Sequence, residues 1–191
     1  MMNWYEKLND YFPIEEMKSR KHMELLLEDK TSPYKKVESQ DYVMMYAEFD
    51  QCIFVDYLWV AADTRGQGTG HKLMEMIKQK NKPILLEVEP VDPDEKDTAK
   101  RLRFYQGEGF KHAKTINFQN RSFQTNEMAP LEILYWAAEI VEDSFILVQM
   151  KKVYNSIHKY KSTEIYGRKF SEAEEILQID ESRNRANLLC V

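Results

Sequence analysis

Glycine placement constrains this chain more than any other feature. Five of its six glycines fall in two short clusters, Gly66, Gly68 and Gly70 in Arg-Gly-Gln-Gly-Thr-Gly, then Gly107 and Gly109 in Tyr-Gln-Gly-Glu-Gly-Phe. Glycine is required where the backbone takes a positive φ or where another group must approach the main chain closely, so a chain this sparing marks the places where geometry demands it. The first cluster lies between an apolar run and an amphipathic run, and reads as a strand end, a tight turn and a helix start. Such a junction points unpaired backbone N–H groups outward at the positive end of a helix dipole. That is an anion site in waiting.

At 191 residues the chain is long enough for one substantial core. Lysine and arginine total 27 against 32 acidic residues, a formal net charge of −5, which lacks the basic excess expected of a nucleic-acid or anionic-membrane binder. Two cysteines, Cys52 and Cys190, are too few for a disulfide framework and suit a reducing compartment. The N-terminal residues lack a basic segment followed by an apolar one, and charges interrupt the apolar stretches well short of a membrane span. A cytoplasmic protein with neither a membrane nor a nucleic-acid partner is expected. His22, His112 and His158 have no metal-ligand spacing, so no metal is expected either.

Asn3 and Glu6 have capping-box spacing, and after Phe12-Pro13 a second helical stretch carries Met17, Met23, Leu26 and Leu27 on one face. The period then changes. Lys36–Gln40, Tyr42–Phe49 and Ile53–Ala61 read as three successive strands, the third apolar enough to be buried on both faces. A helix follows the glycine turn from about Gly70 to Lys80, and Pro83 stops it. Ile84–Glu89 is a fourth strand, closed by Pro90-Val91-Asp92-Pro93-Asp94, ahead of a charged helix from about Glu95 to Gln106. Gly107 or Gly109 can end that helix in a left-handed cap. Phe110–Phe118 and Leu131–Ala138 complete the strands. The fold class is mixed α/β (α+β), a central sheet of about six to seven strands flanked by helices. Residues 1–138 form the expected domain, with 139–191 a helical extension packed on it, including a capping box at Ser171 and Glu174 ahead of Ile176, Leu177 and Ile179.

Spacing discriminates among glycine-rich phosphate turns. A P-loop requires G-x-x-x-x-G-K-[ST], and His71-Lys72-Leu73 after Gly70 supplies neither the spacing nor the hydroxyl. A dinucleotide fingerprint would need its third glycine at His71, and its turn would leave the strand directly rather than after Ala61-Ala62-Asp63-Thr64-Arg65. Over a longer window, Leu58-Trp59-Val60, then Arg65, Gly68 and Gly70, resembles the acetyl-CoA-binding [QR]-x-x-G-x-[GA] motif of the GNAT superfamily of N-acetyltransferases. Tyr105 with Gly109-Phe110 resembles that superfamily's second signature. The two occur in the right order, separated by helix, strand and helix, and the resemblance reaches from about Trp4 to Ala138.

The resemblance implies a GNAT-type fold and acetyl transfer from acetyl-CoA to an amine. In that reading the pyrophosphate sits on the N–H groups of Gly66, Gln67, Gly68, Thr69 and Gly70, and the pantetheine arm pairs with the main chain of Leu58 and Val60. Many members carry an asparagine contact seven residues before the tyrosine; Thr98 stands there. Tyr105 occupies the place of the general acid. An amine with a pKa near ~10.4 must lose a proton and a thiol near ~8.5 must gain one, so a base is also required. Glu87 and Glu89 share one face of their strand, which makes Glu89 a candidate base, with Asp56 its rival. A catalytically silent acetyl-CoA-binding module of the same fold is the alternative. The acceptor, a small-molecule or peptide amine, is not specified by these motifs, and a homodimer is neither required nor excluded.

Overall fold

The computed structural model describes residues 2–90, 96–182 and 187–190. Asn3 caps α1 (Trp4–Tyr11) by accepting the Tyr5 and Glu6 N–H groups, while the Glu6 carboxylate takes the Asn3 N–H at 2.8 Å. Helix α2 (Arg20–Glu28) starts later than its sequence suggests, at Ser19, whose Oγ accepts the His22 N–H. Met17 is buried ahead of that helix, in the turn after Pro13, rather than on the face it was expected to share with Met23 and Leu26.

Strands β1 (Tyr34–Glu38), β2 (Tyr42–Glu48) and β3 (Ile53–Val60) form an antiparallel meander. Helix α3 (Thr69–Lys78) crosses over to β4 (Ile84–Val88), which lies parallel to β3. Helix α4 (Lys96–Gly107), β5 (Lys111–His112), β6 (Ile116–Arg121) and β7 (Met128–Trp136) follow. The expected loop over Val91–Asp94 and the helix start at Glu95 lie outside the described residues. After β7 come α5 (Asp143–Val153), a π-helical turn (Tyr154–His158), α6 (Ser162–Tyr166), α7 (Ala173–Ile176) and β8 (Leu177–Ile179). The eight-stranded sheet runs β1-β2-β3-β4-β7-β6-β8, with β5 beside β7. All pairs are antiparallel except β3 with β4.

Alternation along the strands makes two cores. Met45, Phe54, Leu85 and Ile133 pack with Leu8, Met23, Met150 and Ile157 on one face. Met44, Val55, Leu86 and Leu134 pack with Leu73, Ile77, Leu102 and Tyr105 on the other.

Two departures from the sequence expectation raise the strand count from six or seven to eight. The run Phe110–Phe118 is two strands rather than one, because the chain turns at Thr115, whose N–H and hydroxyl both bond the Asp143 carboxylate (3.1 and 2.7 Å). Leu177–Ile179 is not helical. The capping partners are Glu172 and Glu175 (3.2 Å) rather than Ser171 and Glu174, the helix lasts four residues, and Leu177 then pairs with Phe118. An otherwise unpaired β6 edge captures the apolar segment, which satisfies main-chain groups that a longer helix would have left exposed on that edge.

Candidate active site

Strands β3 and β4 pair over only Ile53/Ile84, Phe54/Leu85 and Val55/Leu86. Beyond that point the β2–β3 register slips, since Tyr46 opposes Val55 while Met45 opposes Tyr57, leaving Asp56 as the extra residue of a β-bulge. A bulge bends and twists its strand. The ends of β3 and β4 therefore separate, and a cavity of about 570 Å³ opens between them, reaching from the glycine turn to Asp56, Glu87 and Tyr105.

At one end of the cavity, Gly66 (φ +78°) and Gly68 (φ +84°) hold a left-handed backbone that a side chain would strain. Among the described residues no atom lies within 4 Å of a Cβ built on either, which leaves the space above the turn open to a ligand on their side. Gly70 is needed for another reason, because a Cβ there would sit 3.1 Å from the Phe104 ring of α4. Gly68 caps α3, and Lys72 N–H is bonded to the Gly68 carbonyl, so the N–H groups of Thr69, Gly70 and His71 precede the first intrahelical donor. Arg65 fixes the turn to the sheet, donating from Nε to the Val60 carbonyl at 2.9 Å and lying over the Tyr11 ring. Gln67 is exposed, bonds the Asp63 carbonyl and lies outside the cavity lining.

Along the wall, Ala61 N–H donates to Asp41, which directs the main-chain groups of Trp59 and Ala61 toward β2. By alternation, those of Leu58 and Val60 face the open edge. Near the turn, His71, Glu75 and Glu108 bring three potential metal-ligand atoms within 4.8 Å of one another. Lys78 Nζ already serves there as the cation, 3.0 Å from Glu75 and 2.7 Å from Glu108.

Tyr105 comes from α4 and lines the middle of the cavity at 9 % exposure. Burial pushes its hydroxyl up to about 12, with the Arg101 guanidinium pulling the other way, so it stays protonated at neutral pH. Arg101 is itself held by a two-pronged pair with Glu16 (3.1 and 3.3 Å). Thr98 is buried at 3 % exposure and lies outside the cavity lining.

The carboxylates divide. Asp56 is enclosed, with Lys18 Nζ on one oxygen at 2.6 Å and the Tyr34 hydroxyl on the other at 2.5 Å, both partners buried. Glu89 lines a second cleft of about 130 Å³ and not the main cavity. Glu87 lines both, 13 % exposed, one oxygen 2.8 Å from His158 Nε2. Tyr105, Asp56 and Glu87 line the main cavity, Asp56 and Glu87 also border the adjoining cleft, and Glu89 stands in that cleft alone of the two. Strand alternation had already put Glu87 on the face of Glu89. Lys18 and His158 had no signal at all, because both come from segments far away in sequence.

A family model for the acetyltransferase (GNAT) domain matches residues 32–112. The chain is 53 % identical over 187 residues to the protein named "Putative acetyltransferase YjbC" of Bacillus subtilis (strain 168), covering 98 % of this chain and 97 % of that one. Its fold resembles a solved Bacteroides thetaiotaomicron protein named "Putative acetyltransferase from GNAT family". The TM-score is 0.58 at 22 % identity, over 86 % of this chain and 90 % of the other.

Proposed function

The chain belongs to the GNAT acetyltransferase family, and from that premise we propose that it moves the acetyl group of acetyl-CoA onto a primary amine. The observation that carries the proposal is the continuous cavity from the glycine turn, past an open strand edge, to a buried tyrosine and a carboxylate. The pyrophosphate is assigned to the turn from Gly66 to Gly70, with Arg65 bracing it, and the pantetheine arm to the edge of Leu58 and Val60. Thr98 and the Gln67 side chain are left out of this site, because they stand away from the cavity.

Tyr105 is proposed as the acid, since a hydroxyl held at about 12 keeps its proton until a thiolate develops beside it. Glu87 is proposed as the base in preference to Asp56 and Glu89. Both Asp56 oxygens are already engaged, and Glu89 faces only the second cleft. The acceptor ammonium gives one proton to Glu87, and the neutral nitrogen attacks the thioester carbon. The C–S bond breaks as Tyr105 protonates the departing sulfur. The surplus proton on nitrogen then restores Tyr105 through solvent, so the products are the amide, CoA thiol and one released proton. The second cleft is lined by Glu15, Glu87, Glu89 and Glu127, with Lys18 there paired to Asp56 and Glu16 to Arg101, and this acidic balance suits a cationic acceptor.

Two measurements test this. Acetyl-CoA should raise the melting temperature, and thiol release with a panel of primary amines should depend on Tyr105. Absence of any acetyl-CoA-dependent shift refutes the cofactor assignment. A shift without thiol release from any amine identifies a silent binding module instead.

A further inference from the structure

We propose that His158, from the C-terminal segment beyond the matched family domain, positions the Glu87 carboxylate for proton transfer. The inference rests on the transfer reading above. Its Nε2 lies 2.8 Å from Glu87 Oε1, and the ring is 1 % exposed. Glu87 has no other hydrogen-bond partner among the described residues, so one oxygen is anchored and the other is left toward the cavities it lines.

The ring's surroundings determine where its proton sits. Phe54, Phe123 and Tyr154 pack around it, and its Nδ1 is buried without a partner among the described residues. A neutral ring with its proton on Nδ1 would bury an orphan donor and set two lone pairs against each other at Glu87, so Nε2 carries the proton and donates to the carboxylate. Were the site only a space to fill, an apolar side chain would occupy it without leaving a polar atom unpaired.

The backbone is shaped to deliver this ring. Lys159 N–H reaches back to the Tyr154 carbonyl at 2.8 Å, the widened bond of the π turn, and the Ile157 carbonyl accepts from His22 Nε2 at 2.9 Å. Helix α2 thereby holds the turn from which His158 meets β4. His158 does not line the main cavity, and where it borders the second cleft its ring is only 1 % exposed with Nε2 turned to Glu87, so it acts through Glu87.

The test compares His158→Leu, which removes the donor, with His158→Gln, which restores an N–H to the same oxygen, using thiol release with acetyl-CoA and whichever primary amine proves active. His158→Leu should lower kcat by about ten- to a hundredfold, the scale of a carboxylate misplaced by an ångström. The KM for acetyl-CoA should stay within about twofold. His158→Gln should recover most of the loss, and in a Glu87→Gln background His158→Leu should cost nothing further. Losses that multiply in the double variant, or a glutamine no better than leucine, overturn the proposal. If the wild type releases thiol with no amine, the transfer reading fails separately, and crystal structures bound to CoA decide the positioning. Glu87 should leave its place in His158→Leu and keep it in His158→Gln; an unmoved Glu87 in His158→Leu overturns the proposal.

Discussion

His22 should set an acid limit on stability that can be worked out from its contacts. The side chain has no exposed surface, with Nε2 2.9 Å from the Ile157 carbonyl and Nδ1 3.0 Å from the Tyr166 hydroxyl. One nitrogen donates and the other accepts, which satisfies the neutral ring and leaves no place for a second proton. Burial lowers its pKa to about 3, and the nearby Lys18 charge adds to the effect. In the unfolded chain the same ring titrates near ~6.5. The unfolded state therefore binds the extra proton first as pH falls. Stability is complete above about pH 6.5 and erodes down to the folded value near 3. Linkage gives a loss of about 2 kcal/mol at pH 5. For a chain of this size that is about 4–8 °C in melting temperature. Urea midpoints at pH 8 and pH 5, for the wild type and for His22→Gln, isolate the contribution, because all other titrating groups are common to both. The wild type should lose about 2 kcal/mol more than the variant over that interval. Equal losses would refute the claim that the fold excludes this proton.

The Lys18–Asp56 pair is buried on both sides, so Lys18→Met should destabilise by about 3–5 kcal/mol in chemical denaturation, and adding Asp56→Asn should recover part of that loss. Gly68→Ala meets no neighbouring atom among the described residues, so its cost is conformational, about 1–2 kcal/mol by the same assay, with weaker acetyl-CoA binding in calorimetry. Tyr105→Phe should lower kcat by about 10²–10⁴ while the acetyl-CoA dissociation constant holds, and an unchanged kcat would remove the acid role.

Much of the fold was legible because local chemistry and tertiary packing agree. The Asn3 and Glu6 cap, the three-strand meander, the glycine turn and the helix closed at Gly109 depend on neighbours in sequence. The left-handed backbone at Gly109 (φ +80°) is one of the two positions foreseen for that cap. Where expectation and structure part, a distant partner intervenes. Asp143 turns the chain at Thr115, and the open edge of β6 draws Leu177–Ile179 into the sheet. The same holds for the site. Spacing brought Tyr105 and the turn into view, whereas the choice among carboxylates depended on Lys18 and Tyr34, which engage Asp56, and on His158, which meets Glu87.

By itself the sequence determined the family, the turn and the tyrosine, since each is written in a spacing that a short stretch of backbone must obey. The tertiary structure decided which of the carboxylates at the cavity has both oxygens engaged and which keeps one unengaged, Asp56 being held by Lys18 and Tyr34 and Glu87 by His158 alone among the described residues. Those answers depend on groups brought from α2, the Pro13–Ser19 connection and the π turn. Charge and hydrogen-bonding compensation in a buried site is set by proximity in space, and no local period records it.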